Sequence, residues 1–245
     1  MQLLISVSDA IEASAALDGG ADIIDAKDPA SGALGAVTLD VFREIHTLVG
    51  GVRLVTAALG DAVDEASTGT IAGEYARAGA RLVKIGFAGI NSHARVATLL
   101  AAARDGAAEH AGVIATAYAD ADRVASLDPF ALVDAAAAAA VTGVLLDTAD
   151  KQGPGLRELM SSATLRAWVA AARDARLLVA VAGKLTADDF AMVNDAGVDI
   201  VGVRGAACDN GRTGCISAAR VHQLTAVVAR RSARAPAPGP AAAYE

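Results

Sequence analysis

The chain has 245 residues, 54% of them hydrophobic, enough for one large domain with a sizeable core. Only 3% are aromatic, so Ala, Val, Leu and Ile must build that core. A net charge of −7 argues against nucleic acid or an anionic membrane as a partner, but leaves a phosphorylated small molecule open because local charge decides that.

Short β-rich runs recur along the chain, each followed by a longer Ala-rich helical pattern. The predicted strands are Leu3–Val7, Asp22–Ala26, Arg53–Ala58, Arg81–Ile85, Val113–Tyr118, Gly143–Asp147, Leu177–Ala182 and Ile200–Arg204. Their spacing leaves room for one crossover helix per interval. The phrases GGAD at Gly19, AGAR at Gly79 and AGVD at Gly197 place a glycine where a helix ends and a strand begins. The strands read as nearly continuous apolar runs, the pattern of strands buried on both faces. Eight such units predict a closed (β/α)8 TIM barrel of the α/β class. A doubly wound sheet is the weaker reading, because no GxGxxG follows the first strand.

Two loops open after strands, DPASGALGAVT ahead of a predicted helix Leu39–Leu48 and GDAVDEASTGT after Ala58. The Ala135–Ala140 run is too short for a bilayer and reads as a tightly packed helix. Residues 1–230 are expected to form the barrel domain, and 231–245, RSARAPAPGPAAAYE, a disordered Pro/Ala-rich tail. Cys208 and Cys215 match no CxxC or Cys/His spacing, so neither disulfides nor zinc are expected. The N-terminus, MQLLISVSDA, lacks a leader pattern, and a cytoplasmic protein is expected. Apolar outer helices such as Ala131–Ala140 leave a homo-oligomer open.

Four of the 21 basic residues are lysines, which leaves seventeen arginines. All four lysines, Lys27, Lys84, Lys151 and Lys184, stand at or just beyond the end of an apolar run. Arginine supplies the surface charge, whereas lysine offers an amine that can lose its proton and attack a carbonyl. In a TIM barrel the active site lies at the C-terminal strand ends, and alternate strands share a side-chain layer. That brings Lys27 after the second strand, Lys84 on the fourth, and Asp147 with Lys151 after the sixth to one mouth. Asp25 should point the same way as Lys27, two residues on. Three amines and two carboxylates so placed suit imine and proton-transfer chemistry. The bland alternative makes Lys27–Asp25 and Lys151–Asp147 structural ion pairs.

The last two strand ends, AGKL and VRGAACDNGRTG, are candidates for phosphate binding, with Gly183 and Gly205 allowing close backbone approach and Lys184 and Arg204 adding charge. Arg212 reads equally well as an exposed loop charge. His46, His93, His110 and His222 fall in predicted helices or at their ends, and Ser31 and Ser67 have no histidine partner, so a serine triad has no support.

The segments GGADIIDAKDPASGALGA, RLVKIGF, AYADADR, LLDTADKQG and DIVGVRGAAC resemble the (5-formylfuran-3-yl)methyl phosphate synthase family, from residue 2 to about residue 225. The resemblance implies a (β/α)8 barrel that condenses two molecules of D-glyceraldehyde 3-phosphate into a furan aldehyde phosphate, a carbon–oxygen lyase step toward methanofuran. It implies that Lys27 forms the Schiff base, that Lys84 accepts the proton, and that Asp147 and Lys151 support catalysis. No metal or redox cofactor is expected, since aromatisation drives the last steps. Two positions depart from the family pattern: Asp122 stands where histidine is common, and Lys184 where serine is common. The Ala-rich, Lys-poor composition suggests a methylotrophic bacterium. Two rival expectations are a class I aldolase acting on triose phosphates and a non-catalytic phosphometabolite-binding barrel.

Overall fold

A computed structural model describes residues 1–232. Eight parallel strands close on themselves in sequence order: β1 Gln2–Val7, β2 Ile23–Ala26, β3 Leu54–Asp61, β4 Leu82–Gly86, β5 Gly112–Tyr118, β6 Gly143–Asp147, β7 Leu178–Val181 and β8 Ile200–Val203. The ring is closed by β1 on β8, with Ile5 opposite Val203. The predicted TIM barrel is therefore present, and its strand limits agree with expectation to within three residues at either end. Helices α1 (Ala10–Asp18), α2 (Leu39–Val49), α3 (Glu65–Arg77), α4 (His93–Ala107), α5 (Pro129–Ala138), α6 (Leu156–Leu159), α7 (Ser162–Asp174), α8 (Phe190–Asp195) and α9 (Ala218–Ser232) fill the crossovers and the C-terminal end.

Side-chain alternation divides the apolar residues into two cores. One face of each strand meets the helices, as with Leu3 and Ile5 on β1, Val83 and Ile85 on β4, and Val144 and Leu146 on β6. The other face fills the barrel interior with Leu4, Ile23, Ala58, Ile114, Leu145, Ala180 and Ile200. Each fully buried branched side chain contributes about 1.5–3 kcal/mol. The near-continuous apolar strand sequences follow directly, since both faces are dry.

Local signals fix the helix ends. Asp9, Thr38, Asp64, Ser92 and Ser161 each accept a hydrogen bond from a backbone N–H of the first helical turn. Gly20, Gly79 and Gly197 take φ of 85°, 106° and 82° at the helix-to-strand turns, as the repeated phrases predict. The second expected loop is shorter than its sequence suggests: β3 runs on to Asp61 and α3 begins at Glu65, capped by Asp64. Of the poly-alanine run, Ala135, Ala136 and Ala139 are buried, consistent with a packed helix. At the C-terminus, α9 extends to Ser232, two residues into the expected tail; positions 233–245 lie outside the described residues. No helix among the described residues is long and apolar enough to cross a membrane.

Candidate active site

The C-terminal strand ends enclose a cavity of about 320 Å³ whose wall includes Lys27, Lys84, Asp147, Lys151, Gly183, Gly205 and Arg212. Leu34 closes part of the mouth. The loop after β2 folds back on itself, with Asp28 N–H donating to the Gly35 carbonyl at 2.8 Å, and Leu34 is only 2% exposed.

The three predicted site lysines meet here, and Lys151 pairs with Asp147 as expected, but Lys27 has a different partner. Asp25 does not pair with Lys27. It is fully buried and bound by Lys84 Nζ at 2.5 Å, with the Ser6 hydroxyl donating at 2.8 Å and the Thr56 hydroxyl at 2.6 Å. Lys27 instead faces Asp147 across the barrel at 4.0 Å, while Lys151 donates to the same carboxylate at 2.7 Å and to Thr148 at 3.3 Å. The reason is closure of the sheet. Asp25 lies opposite Thr56 on β3, and the long Lys84 side chain reaches past that strand to the carboxylate.

Lys27 is the exceptional amine of the three. It is 7% exposed, and its Nζ donates no hydrogen bond to any described residue. Burial pushes its pKa down to about 7; the charges of Lys151 and Lys84 add to that, and those of Asp147 and Asp25 oppose it. Burial alone would raise the Asp147 carboxyl, but Lys151, Lys27 and the Thr148 N–H hold it below its ordinary value. The result is an amine poised to be neutral beside a carboxylate that stays ionised.

The loops around this cluster are braced by residues that motif reading left without a role. Asp120, in the AYADAD segment, accepts from Ala149 N–H at 2.7 Å and Asp150 N–H at 2.8 Å, which holds the turn carrying Lys151. Its signal was an acidic residue just past a strand end. Asp122, two residues on, is exposed. Tyr118 donates to Asp61 at 2.7 Å across the end of β4, and a Cβ on Gly86 would sit 2.2 Å from that phenol oxygen. The glycine of the KIG motif is thus a crossing point for this bridge.

On the β7–β8 side the expected phosphate residues separate. Gly183 has φ of 103°, and a Cβ there would press on Leu156 and Thr148 at 3.1 and 3.2 Å. The backbone N–H groups of Gly183 and Gly205 have no protein acceptor among the described residues. Lys184 is exposed and donates to the Gly153 carbonyl at 2.5 Å. Arg204 does not have the expected freedom. Its five N–H groups are all taken: two bonds to Glu12 at 2.7 and 3.0 Å, and one each to the carbonyls of Ser6, Arg212 and Gly214. It is a strap between β8 and the start of α1. The histidines stay away from the strand ends, as expected, and no cluster among the described residues is placed to hold a metal ion.

The 4-HFC-P synthase family model matches residues 3–225. The chain belongs to that family. A (5-formylfuran-3-yl)methyl phosphate synthase of Methanococcus maripaludis is 38% identical over 216 residues, covering 86% of this chain and 91% of the relative. That of Methanopyrus kandleri is 37% identical over 236 residues, covering 93% and 99%. These relatives come from methanogens, not from the methylotrophic bacteria that composition suggested. Among solved structures, KGPDC from Streptococcus mutans superposes with a TM-score of 0.64 at 14% identity, covering 94% of this chain and 97% of that one. A 3-hexulose-6-phosphate synthase gives 0.60 at 21% identity, covering 93% and 99%. At such identities the likeness speaks for the barrel alone. As a member of the 4-HFC-P synthase family, the chain is an enzyme of synthase type.

Proposed function

We propose that this member of the 4-HFC-P synthase family condenses two molecules of D-glyceraldehyde 3-phosphate into (5-formylfuran-3-yl)methyl phosphate through an imine on Lys27, toward methanofuran or an analogue. Atom balance then requires loss of one phosphate and two waters. The observation that carries this reading is the setting of Lys27: a buried amine on the cavity wall, 4.0 Å from Asp147, with a pKa near 7 and no hydrogen bond of its own.

Lys84 moves the proton that converts one triose phosphate to its ketone isomer, with Asp25 beneath it as a fixed counter-charge. Lys27 forms an imine with the aldehyde of the other triose, which acidifies the neighbouring carbon and lets the phosphate at C3 leave. The enol carbon left at C3 adds to the ketone of the isomerised triose, whose hydroxymethyl oxygen then closes the ring, and loss of two waters gives the branched furan. Asp147 stabilises the iminium, and Lys151, on the same carboxylate, serves the later eliminations. The N–H groups of Gly183 and Gly205 take phosphate oxygens, as strand-end loops seven and eight do in many barrels.

The test is incubation with D-glyceraldehyde 3-phosphate alone. The expected result is furan-aldehyde ultraviolet absorbance growing in step with one phosphate released per two trioses consumed. An open-chain sugar phosphate without that absorbance would overturn the reading in favour of a class I aldolase. Tight binding without turnover would favour a binding barrel.

A further inference from the structure

A reaction that joins two triose phosphates must hold two phosphomonoester groups, and two free backbone N–H groups supply little charge for that. Three cations stand near the ends of β7 and β8. Arg204 is saturated by Glu12 and by carbonyls, and Lys184 is exposed and turned to Gly153. Arg212 differs from both. It is half-buried on the cavity wall, beside Gly205, where a Cβ would lie 3.7 Å from the Arg212 Cβ. Two of its five N–H groups donate across the mouth, to the carbonyl of Pro29 at 2.5 Å and that of Gly32 at 2.7 Å. The other three have no protein acceptor among the described residues. The backbone beneath it is pinned by Arg204 Nε, which donates to the Arg212 carbonyl at 2.8 Å.

We propose that Arg212 binds a substrate phosphate on the cavity wall and, with the same guanidinium, latches the loop that follows Lys27. This inference rests on reading the cavity as a triose-phosphate site. A guanidinium suits both roles, because it is planar, always charged, and can give parallel bonds to phosphate while its remaining edge keeps the two carbonyls. Pro29 is two residues beyond Lys27. Seating a phosphate on Arg212 therefore fixes the segment that carries the nucleophile. Arg204 is the positioning residue for this arrangement.

The probe is inorganic phosphate, titrated by calorimetry into the full-length wild type, Arg212→Met and Arg212→Lys. Loss of a charge-assisted phosphate contact weakens binding by about tenfold to a hundredfold in Arg212→Met, with Arg212→Lys between the two. Borohydride trapping with phosphate-free D-glyceraldehyde serves as the second measurement. It should label Arg212→Met more weakly than wild type, because the latch is lost, and labelling by D-glyceraldehyde 3-phosphate should be weakened about tenfold further. Unchanged phosphate affinity in Arg212→Met, or no measurable phosphate binding by wild type, would overturn the proposal. So would an equal loss of labelling by both aldehydes, which would make Arg212 a latch only. If wild type binds phosphate but forms no adduct, the imine reading fails while the phosphate titrations still decide the role of Arg212.

Discussion

The two sides of the barrel mouth handle positive charge in opposite ways. On the β2–β4–β6 side, lysines meet buried carboxylates: Lys84 with Asp25 from another strand, and the half-buried Lys151 with Asp147 four residues before it. One amine, Lys27, is left over without a hydrogen bond. On the β8 side, the buried cation is Arg204, and Glu12 and three carbonyls consume every donor it has. Nearness to the cavity is therefore a poor guide to function. The count of unused donors, or an amine without a hydrogen bond held near neutrality, separates a residue that can act on substrate from one that holds the barrel shut.

Removing the Lys27 amine should give the largest effect. Lys27→Arg keeps charge but not nucleophilicity and should lower product formation by at least about 10⁴-fold, read by furan absorbance. Full activity in that variant would erase the distinction between the two sides.

Lys84→Gln removes a proton carrier and should lower turnover by about 10²–10⁴-fold. It also strands Asp25 in the interior, at a cost of about 3–5 kcal/mol in denaturant unfolding. Adding Asp25→Asn should restore most of the stability and none of the activity. If the double variant regains activity, Lys84 is a structural ion pair like Arg204.

Asp147→Asn tests the electrostatics. Activity should rise with pH as Lys27 loses its proton, with a midpoint near the amine's value of about 7. Asp147 favours the charged amine, so its removal lowers that pKa and moves the rising limb of kcat/KM to lower pH. A shift to higher pH would contradict the assignment. The smallest expected effect is Gly86→Ala, whose methyl meets the Tyr118–Asp61 bridge and should cost about 1–3 kcal/mol of stability.

Much of this was legible in the sequence because the signals were local. Strands buried on both faces read as apolar runs, and glycines such as Gly79 mark where helices give way to strands. The lysine cluster on the cavity wall stood out because lysine is scarce here and its few copies sit at strand ends. The local pair Lys151–Asp147 was legible too, but pairing between distant strands was not, because it depends on closure. Lys84 finds Asp25 by reaching past β3, and Arg204 finds Glu12 from 192 residues away. Nothing near VRGAAC announces that its arginine is already occupied. The same distance hid Arg212, whose partners Pro29 and Gly32 lie at the other end of the chain.

The central claim is that Lys27 alone of the site lysines is the nucleophile. Borohydride trapping with D-glyceraldehyde 3-phosphate, followed by peptide mapping, tests it directly. The account predicts a reduced adduct on the peptide containing Lys27, with labelling that rises as pH passes through about 7. An adduct on Lys84 or Lys151, or none on any lysine, would contradict it.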